Sequence, residues 1–240
     1  MTAIVRVFSA GSLRHAFPVI IDAFTAATGI RISLSLGPAG LLRERIEAGE
    51  EFDLFASANM AHPRRLVEIG MAEQVICFAR NRLCVIARAD LGLTTKNFVD
   101  VLADPGVKIG TSTPGDDPGG DYAFEVFDRI ETQHRGLGSA LKRRAHQLVG
   151  GRNSQPAPGG TAALIRDREA DLMMSYFSNA RLLISETTLS LVEIPPLFAP
   201  KIEYGLALRR NASDQARLLM EFMLGKSGQT ALREAGFTLP

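Results

Sequence analysis

Four histidines, two cysteines and one conspicuous acidic pair are the residues here whose types can do chemistry. His15, His62, His134 and His146 have no cysteine, histidine or carboxylate at metal-ligand spacing. There is no GxSxG nucleophile elbow and no GxxxxGK[ST] phosphate loop. Asp116 and Asp117 stand among proline and glycine and read as a turn or a helix cap. With a histidine they would be the one candidate catalytic pair. Cys77 and Cys84 flank residues 79–81. Two cysteines make neither a disulfide framework nor a zinc site. They would either face each other across a hairpin or, the reading preferred here, remain two buried free thiols.

Binding chemistry is better represented. Four Gly-containing loops stand before expected helices: Ala10-Gly11-Ser12, Pro38-Ala39-Gly40, Asp117-Pro118-Gly119-Gly120 and Pro158-Gly159-Gly160-Thr161. A helix N-terminus offers unpaired N–H donors and a partial positive charge. Glycine lets the backbone approach a ligand closely. Several such termini at one cleft make an anion site without a cationic side chain. Taken singly, each loop is also ordinary capping chemistry.

The elements that must position these loops follow from periodicity. Residues 4–8 read as a strand, and Leu13, Phe17, Ile20, Phe24 and Ala27 as a helix ended by Gly29, its start delayed or kinked by Pro18. Strands are expected at 30–36 and 53–56, and helices at 41–48 and 63–69. Farther on, strands are expected at 75–78, 83–87, 107–110, 172–177, 189–194 and 204–208. Helices are expected at 97–102, 137–148, 161–168, 178–186, 216–224 and 229–235, with one after the turn-rich 113–120 carrying Tyr122 to Arg129. Residues 149–160 form the longest loop. This alternation predicts βαβ units and a mainly parallel sheet, with ligands bound at the carboxyl ends of strands. Residues 1–80 with 200–240 would form one α/β lobe and 81–199 a second. Two lobes joined by two crossovers predict a hinged cleft suited to capture by closure.

Composition excludes other classes. The chain has 240 residues, 46% hydrophobic and 22% charged, which fits a soluble globular protein and not a disordered one. No apolar run reaches the roughly 18 residues of a membrane span. Lys and Arg total 27 against 26 Asp and Glu, so no basic nucleic-acid footprint exists. Lys142-Arg143-Arg144 reads as a solvated helix face. The N-terminal MTAIVRVFSAGSL has no leader pattern: either the protein is cytosolic, or a leader was removed.

The runs VFSAGSL (7–13), IEAGEEFDLFASAN (46–59), DDPGGDYAFE (116–125) and DLMMSYFSNA (171–180) carry a resemblance. So do YGLALRRNAS (204–213) and FMLGKSGQTALREAGF (222–237). Together they resemble the periplasmic molybdate- and tungstate-binding proteins, the substrate-binding components of ABC importers. The resemblance spans nearly the whole chain. It implies a type II periplasmic binding fold, α/β with two lobes and a hinged interlobe cleft, and a tetrahedral oxyanion held by hydroxyls and backbone N–H groups. It further implies no enzyme activity, no cofactor, a monomer, a membrane permease as partner, no nucleic acid, and a periplasmic or extracellular location. Matched by position, Ser12 is the first-loop serine, beside Gly11. Ala58 is the backbone donor of Ser57-Ala58-Asn59. Gly119 and Gly120 fall on the third loop, and Tyr176 is the tyrosine whose hydroxyl meets the anion. Asp117 matches an aspartate that some tungstate-selective relatives add to the metal's coordination, whereas their glutamate position holds Ser175. The second loop has Ala39 followed by Gly40 where a serine is usual. Pro158 stands where a backbone donor is usual, so Gly159, Gly160 or Thr161 must substitute.

Three alternatives remain at this stage. The same fold would bind sulfate, a phosphonate or a small organic anion, with Arg14, His15, Arg152 or Asn153 at the cleft. The chain would be a cytosolic ligand-sensing domain, although no helix-turn-helix segment is evident. Or it would be an enzyme on this scaffold, using Asp116 or Asp117 with a histidine.

Overall fold

The computed structural model describes residues 4–154 and 157–240. The chain opens with β1 (Ile4–Ala10), a 3-10 turn at Gly11–Leu13, α1 (Phe17–Thr28), β2 (Arg31–Gly37) and α2 (Ala39–Glu47). It continues through β3 (Leu54–Ser57), α3 (Ala61–Glu68) and β4 (Ala72–Asn81). Next come β5 (Leu83–Arg88), α4 (Phe98–Ala103), β6 (Ile109–Ser112), α5 (Pro118–Gln133), α6 (Leu137–Arg144) and β7 (His146–Val149). After these stand α7 (Gly160–Arg166), β8 (Leu172–Tyr176), α8 (Phe177–Ala180) and β9 (Leu189–Glu193). The last elements are β10 (Ile202–Arg209), α9 (Asp214–Leu224) and α10 (Lys226–Glu234).

The chain divides into two compact units. One joins the residues up to Asn81 with Ile202–Pro240; the other is Arg82–Lys201. The first holds a five-stranded sheet in the order β2-β1-β3-β10-β4, the second one in the order β7-β6-β8-β5-β9. In each sheet four of the five strands run the same way and one is reversed, so the sheets are mixed but keep the mainly parallel direction expected. β1 runs parallel to β2 and β3, while β10 runs antiparallel to β3 and β4. β6 runs parallel to β7 and β8, while β5 runs antiparallel to β8 and β9. The reversed strand in each unit is the one that directly follows a chain crossing, β5 after 81/82 and β10 after 201/202; the strands that follow a helical crossover inside their unit share one direction.

Sequence and packing agree in the first unit. In β1, Val5 and Val7 are buried while Ile4 and Arg6 are exposed, and from Val7 to Ala10 every residue is buried. α1 starts at Phe17 with Pro18 in its first turn, where a missing N–H costs nothing, and buries Phe17, Ile20 and Phe24. Each such side chain taken from water contributes about 1.5–3 kcal/mol. Phe24 meets Phe222 of α9 edge-on, ring centroids 5.4 Å apart.

Other expectations move at the edges. The helix expected over 137–148 ends at Arg144, because Ala145 is extended and the next residues pair with β6, Gly110 opposite His146. The helix expected over 178–186 is the short α8 and a 3-10 turn at Arg181–Leu183. β4 runs from Ala72 to Asn81, well beyond 75–78. Part of the loop expected at 149–160, residues 155 and 156, lies outside the described residues, as do residues 1–3. Cys77 lies on β4 and Cys84 on β5, in different sheets, so no hairpin joins them. Neither forms a disulfide among the described residues; Cys84 is buried and its thiol is pushed up to about 12 by burial, whereas Cys77 is only half-buried. Among the described residues, no helix is long and apolar enough to cross a membrane.

Candidate functional site

In the first unit the carboxyl ends of three neighbouring parallel strands carry the expected donors. The register sets Ala10 opposite Gly37 and Ser9 opposite Ala56. The residues that follow are therefore neighbours: Gly11-Ser12 after β1, Pro38-Ala39-Gly40 after β2, and Ala58 after β3. Ser12 is 8% exposed, and Ala39 and Ala58 are 1% exposed. Pro38 is the N-cap of α2, so Ala39 and Gly40 are its first two residues and their N–H groups have no partner inside the helix. This places the helix start two residues before the expected Leu41. Ala39 brings no hydroxyl to it.

The neighbouring polar groups mostly hold the loops in shape. Asn59 Oδ1 accepts from the Ser57 hydroxyl at 3.1 Å and from His62 N at 3.0 Å. Arg14 turns back, its Nε donating to Gly11 O at 2.7 Å. One residue expected only as the start of a strand reaches this loop: Tyr204 of β10 lies with its hydroxyl 2.8 Å from Ser12 Oγ. No spacing rule links residues 192 apart, and only the β3–β10 pairing brings them together.

In the second unit the loop after β6 and the start of α5 assemble Ser112, Asp117, Gly119 and Tyr176. A Cβ on Gly119 would lie 3.1 Å from Ser112 Oγ, 3.4 Å from the Tyr176 ring and 3.6 Å from Asp117 Oδ1. Tyr176 is 7% exposed, at the end of β8, with its ring edge-on to Tyr122. Asp117 caps α5, its Oδ1 accepting from Gly119 N at 3.0 Å. Gly120 N donates to Asp117 O at 2.9 Å. The N–H groups of Gly119 and Gly120 are thus committed to the cap, which spacing alone did not reveal. Gly120 itself is pressed on the loop: a Cβ would sit 2.5 Å from Pro114 N and 2.6 Å from Ser112 O.

The loop after β7 closes over the same region. Gly150 has φ +76°, and a Cβ there would meet Asp117 Oδ2 at 2.5 Å, so a left-handed residue without a side chain is required. Arg152 N donates to Asp116 Oδ2 at 2.9 Å and its guanidinium to Oδ1 at 3.2 Å. Burial raises the Asp116 carboxyl, but these Arg152 contacts outweigh it and hold it below its ordinary value. Asp116 is therefore an ion-pair partner. Asn153 and Ser154 line a small hollow of about 210 Å³ with Thr113, Gln147 and Arg152. Gly160 is the first residue of α7, and its N–H donates to Ala157 O at 2.8 Å. Among the described residues no group of three or more His, Cys, Asp or Glu is placed to hold a metal ion.

Comparison with known proteins gives a consistent picture. The family described as bacterial extracellular solute-binding protein matches residues 5–238. An uncharacterised protein of Pasteurella multocida is 38% identical over 237 residues, 97% of each chain. The molybdate-binding protein ModA of Escherichia coli is 24% identical over 249 residues, 98% of this chain and 89% of its own. The periplasmic molybdate-binding protein of Azotobacter vinelandii superposes with a TM-score of 0.79 at 22% identity, covering 98% of this chain and 99% of that one. The fold is thus the two-lobed α/β fold of the type II periplasmic binding proteins.

Proposed function

The chain belongs to the family of bacterial extracellular solute-binding proteins, and on that premise we propose that it captures a tetrahedral oxyanion of the molybdate or tungstate kind for an ABC importer. A membrane permease is then its partner and the periplasm or cell exterior its place of work. The observation that carries this reading is the convergence of Ser12, the N-terminal Ala39 and Gly40 of α2, and Ala58 on three adjacent strand ends. These groups offer N–H and O–H donors and no carboxylate, as a dianion requires. Within the second unit, Tyr176 and Ser112 gather beside the capped start of α5. Molybdate or tungstate is cargo here, not cofactor. The two molybdate-binding relatives support the choice of anion.

Magnitudes are compatible with function. Hydrogen bonds to a charged ligand contribute about 1.5–3 kcal/mol each. About five give ~8–15 kcal/mol gross, from which immobilisation and desolvation subtract several. Micromolar to nanomolar binding needs ~8–12 kcal/mol net. The hydroxyl absent at Ala39 and the N–H groups committed at Gly119 and Gly120 reduce the surplus.

A second reading has an observation of its own. Asp117 puts a carboxylate beside Gly119 and Tyr176, where it accepts hydrogen bonds and repels a bare dianion. An anion that carries its own O–H or N–H, such as a phosphonate or a small organic acid, would satisfy it. Calorimetric titration of ligand-free protein with molybdate, tungstate, sulfate, hydrogen phosphate and a simple phosphonate separates the two. Heat with molybdate and tungstate alone establishes the first reading. Silence with these and heat with the proton-bearing anions establishes the second.

A further inference from the structure

Tyr204 belongs to none of the loops that point to an anion, yet it is fully buried on β10. Its ring is wedged edge-on between Phe78, centroids 6.3 Å apart, and Phe237, 5.3 Å apart. The hydroxyl lies 2.8 Å from Ser12 Oγ, and Asn81 Nδ2 donates to the same phenol oxygen at 3.3 Å. Asn81 and Tyr204 come from adjacent strands, with Ile202 opposite Asn81 and Tyr204 opposite Ala79.

The direction of this chain of hydrogen bonds follows from its members. An amide NH2 only donates, so Asn81 supplies a hydrogen to the phenol oxygen. A phenol is a stronger acid than an aliphatic hydroxyl, so Tyr204 donates and Ser12 accepts. The hydrogen of Ser12 is then left to point away from Tyr204, and among the described residues it meets no acceptor. Each bond in such a series polarises the next, making the last hydroxyl a better donor.

We propose that Tyr204 is a positioning residue: by donating to Ser12 Oγ it makes the serine a one-way donor toward the bound anion, and Asn81 holds the phenol to that task. The inference rests on the oxyanion reading and deepens it.

The test is a double-mutant cycle on the full chain, titrated calorimetrically with molybdate, with ligand-free thermal midpoints as the control for folding. Tyr204→Phe is expected to weaken binding about 3- to 10-fold. Ser12→Ala is expected to weaken it at least as much, and the double variant no more than Ser12→Ala alone. Equal weakening by Tyr204→Phe in both backgrounds would mean a merely structural phenol and overturns the proposal. So does unchanged affinity in Tyr204→Phe where Ser12→Ala binds weakly. If Tyr204→Phe does not fold, Asn81→Leu runs the same cycle with the phenol ring in place, and the same two outcomes decide. A wild type that does not bind molybdate, or a Ser12→Ala variant that binds it unchanged, overturns the oxyanion role of Ser12 and the relay with it.

Discussion

His62 shows at the scale of one residue how burial changes chemistry. It is 9% exposed on α3, and its Nε2 meets no partner among the described residues. Burial, then the Arg43 charge, lower its pKa from 6.5 to about 4, with Glu44 opposing weakly. The folded chain therefore keeps the ring neutral where the unfolded chain protonates it. Stability is expected to fall as pH drops from about 6.5 to about 4, by up to about 3 kcal/mol, and to change no further below that on this account. Thermal midpoints across that window check it: His62→Gln should flatten the decline, and an identical decline in the variant would clear His62 of responsibility. This histidine is a packing residue; the sequence showed that it lacks metal partners, but not its depressed pKa.

Helix α5 is the element on which the second unit's part of the site depends. Its cap comes from Asp117 and its close seat from Gly120. Asp117→Ala is expected to cost about 0.5–2 kcal/mol through the lost cap. Gly120→Ala is expected to cost about 1–3 kcal/mol, because backbone atoms of residues 112–114 cannot yield as a flexible side chain would. Denaturant unfolding measures both, and a wild-type midpoint for Gly120→Ala would mean that the helix start is not pressed on the loop. The Asp-Pro-Gly-Gly run announced a helix start, since aspartate caps and proline suits the first turn. That the cap consumes the Gly119 and Gly120 N–H groups was not legible, because it depends on where the carboxylate turns. The short β7 was hidden for a related reason: Leu137 to Leu148 keep a helical rhythm, and only pairing with β6 draws the last residues into a strand.

On the scale of the whole molecule, the candidate donors are divided between two units. Ser12 stands in one and Tyr176 in the other. At an anion concentration of about 100 Kd, binding adds about 2.7 kcal/mol of stability; a tenfold weaker variant at the same concentration retains about 1.4 kcal/mol. Ser12→Ala and Tyr176→Phe are each expected to shrink the molybdate-induced rise in thermal midpoint on this scale. If Tyr176→Phe leaves the rise intact while Ser12→Ala abolishes it, the second unit takes no part in holding the anion. The comparison must be made on the intact chain, since β10 and the two helices after it complete the first unit only after the second has been traversed.

The sequence by itself determined the α/β class, the order of most elements and the places where glycine-bearing loops open helices. Those features depend on residues within a few positions of one another, where apolar spacing, caps and breakers act directly. The tertiary structure decided the reversed direction of β5 and β10, the reach of Tyr204 to Ser12, and which N–H groups stay available to a ligand. These depend on partners up to 192 residues apart, and a hydrogen bond formed inside a loop removes a donor that spacing alone would count as free.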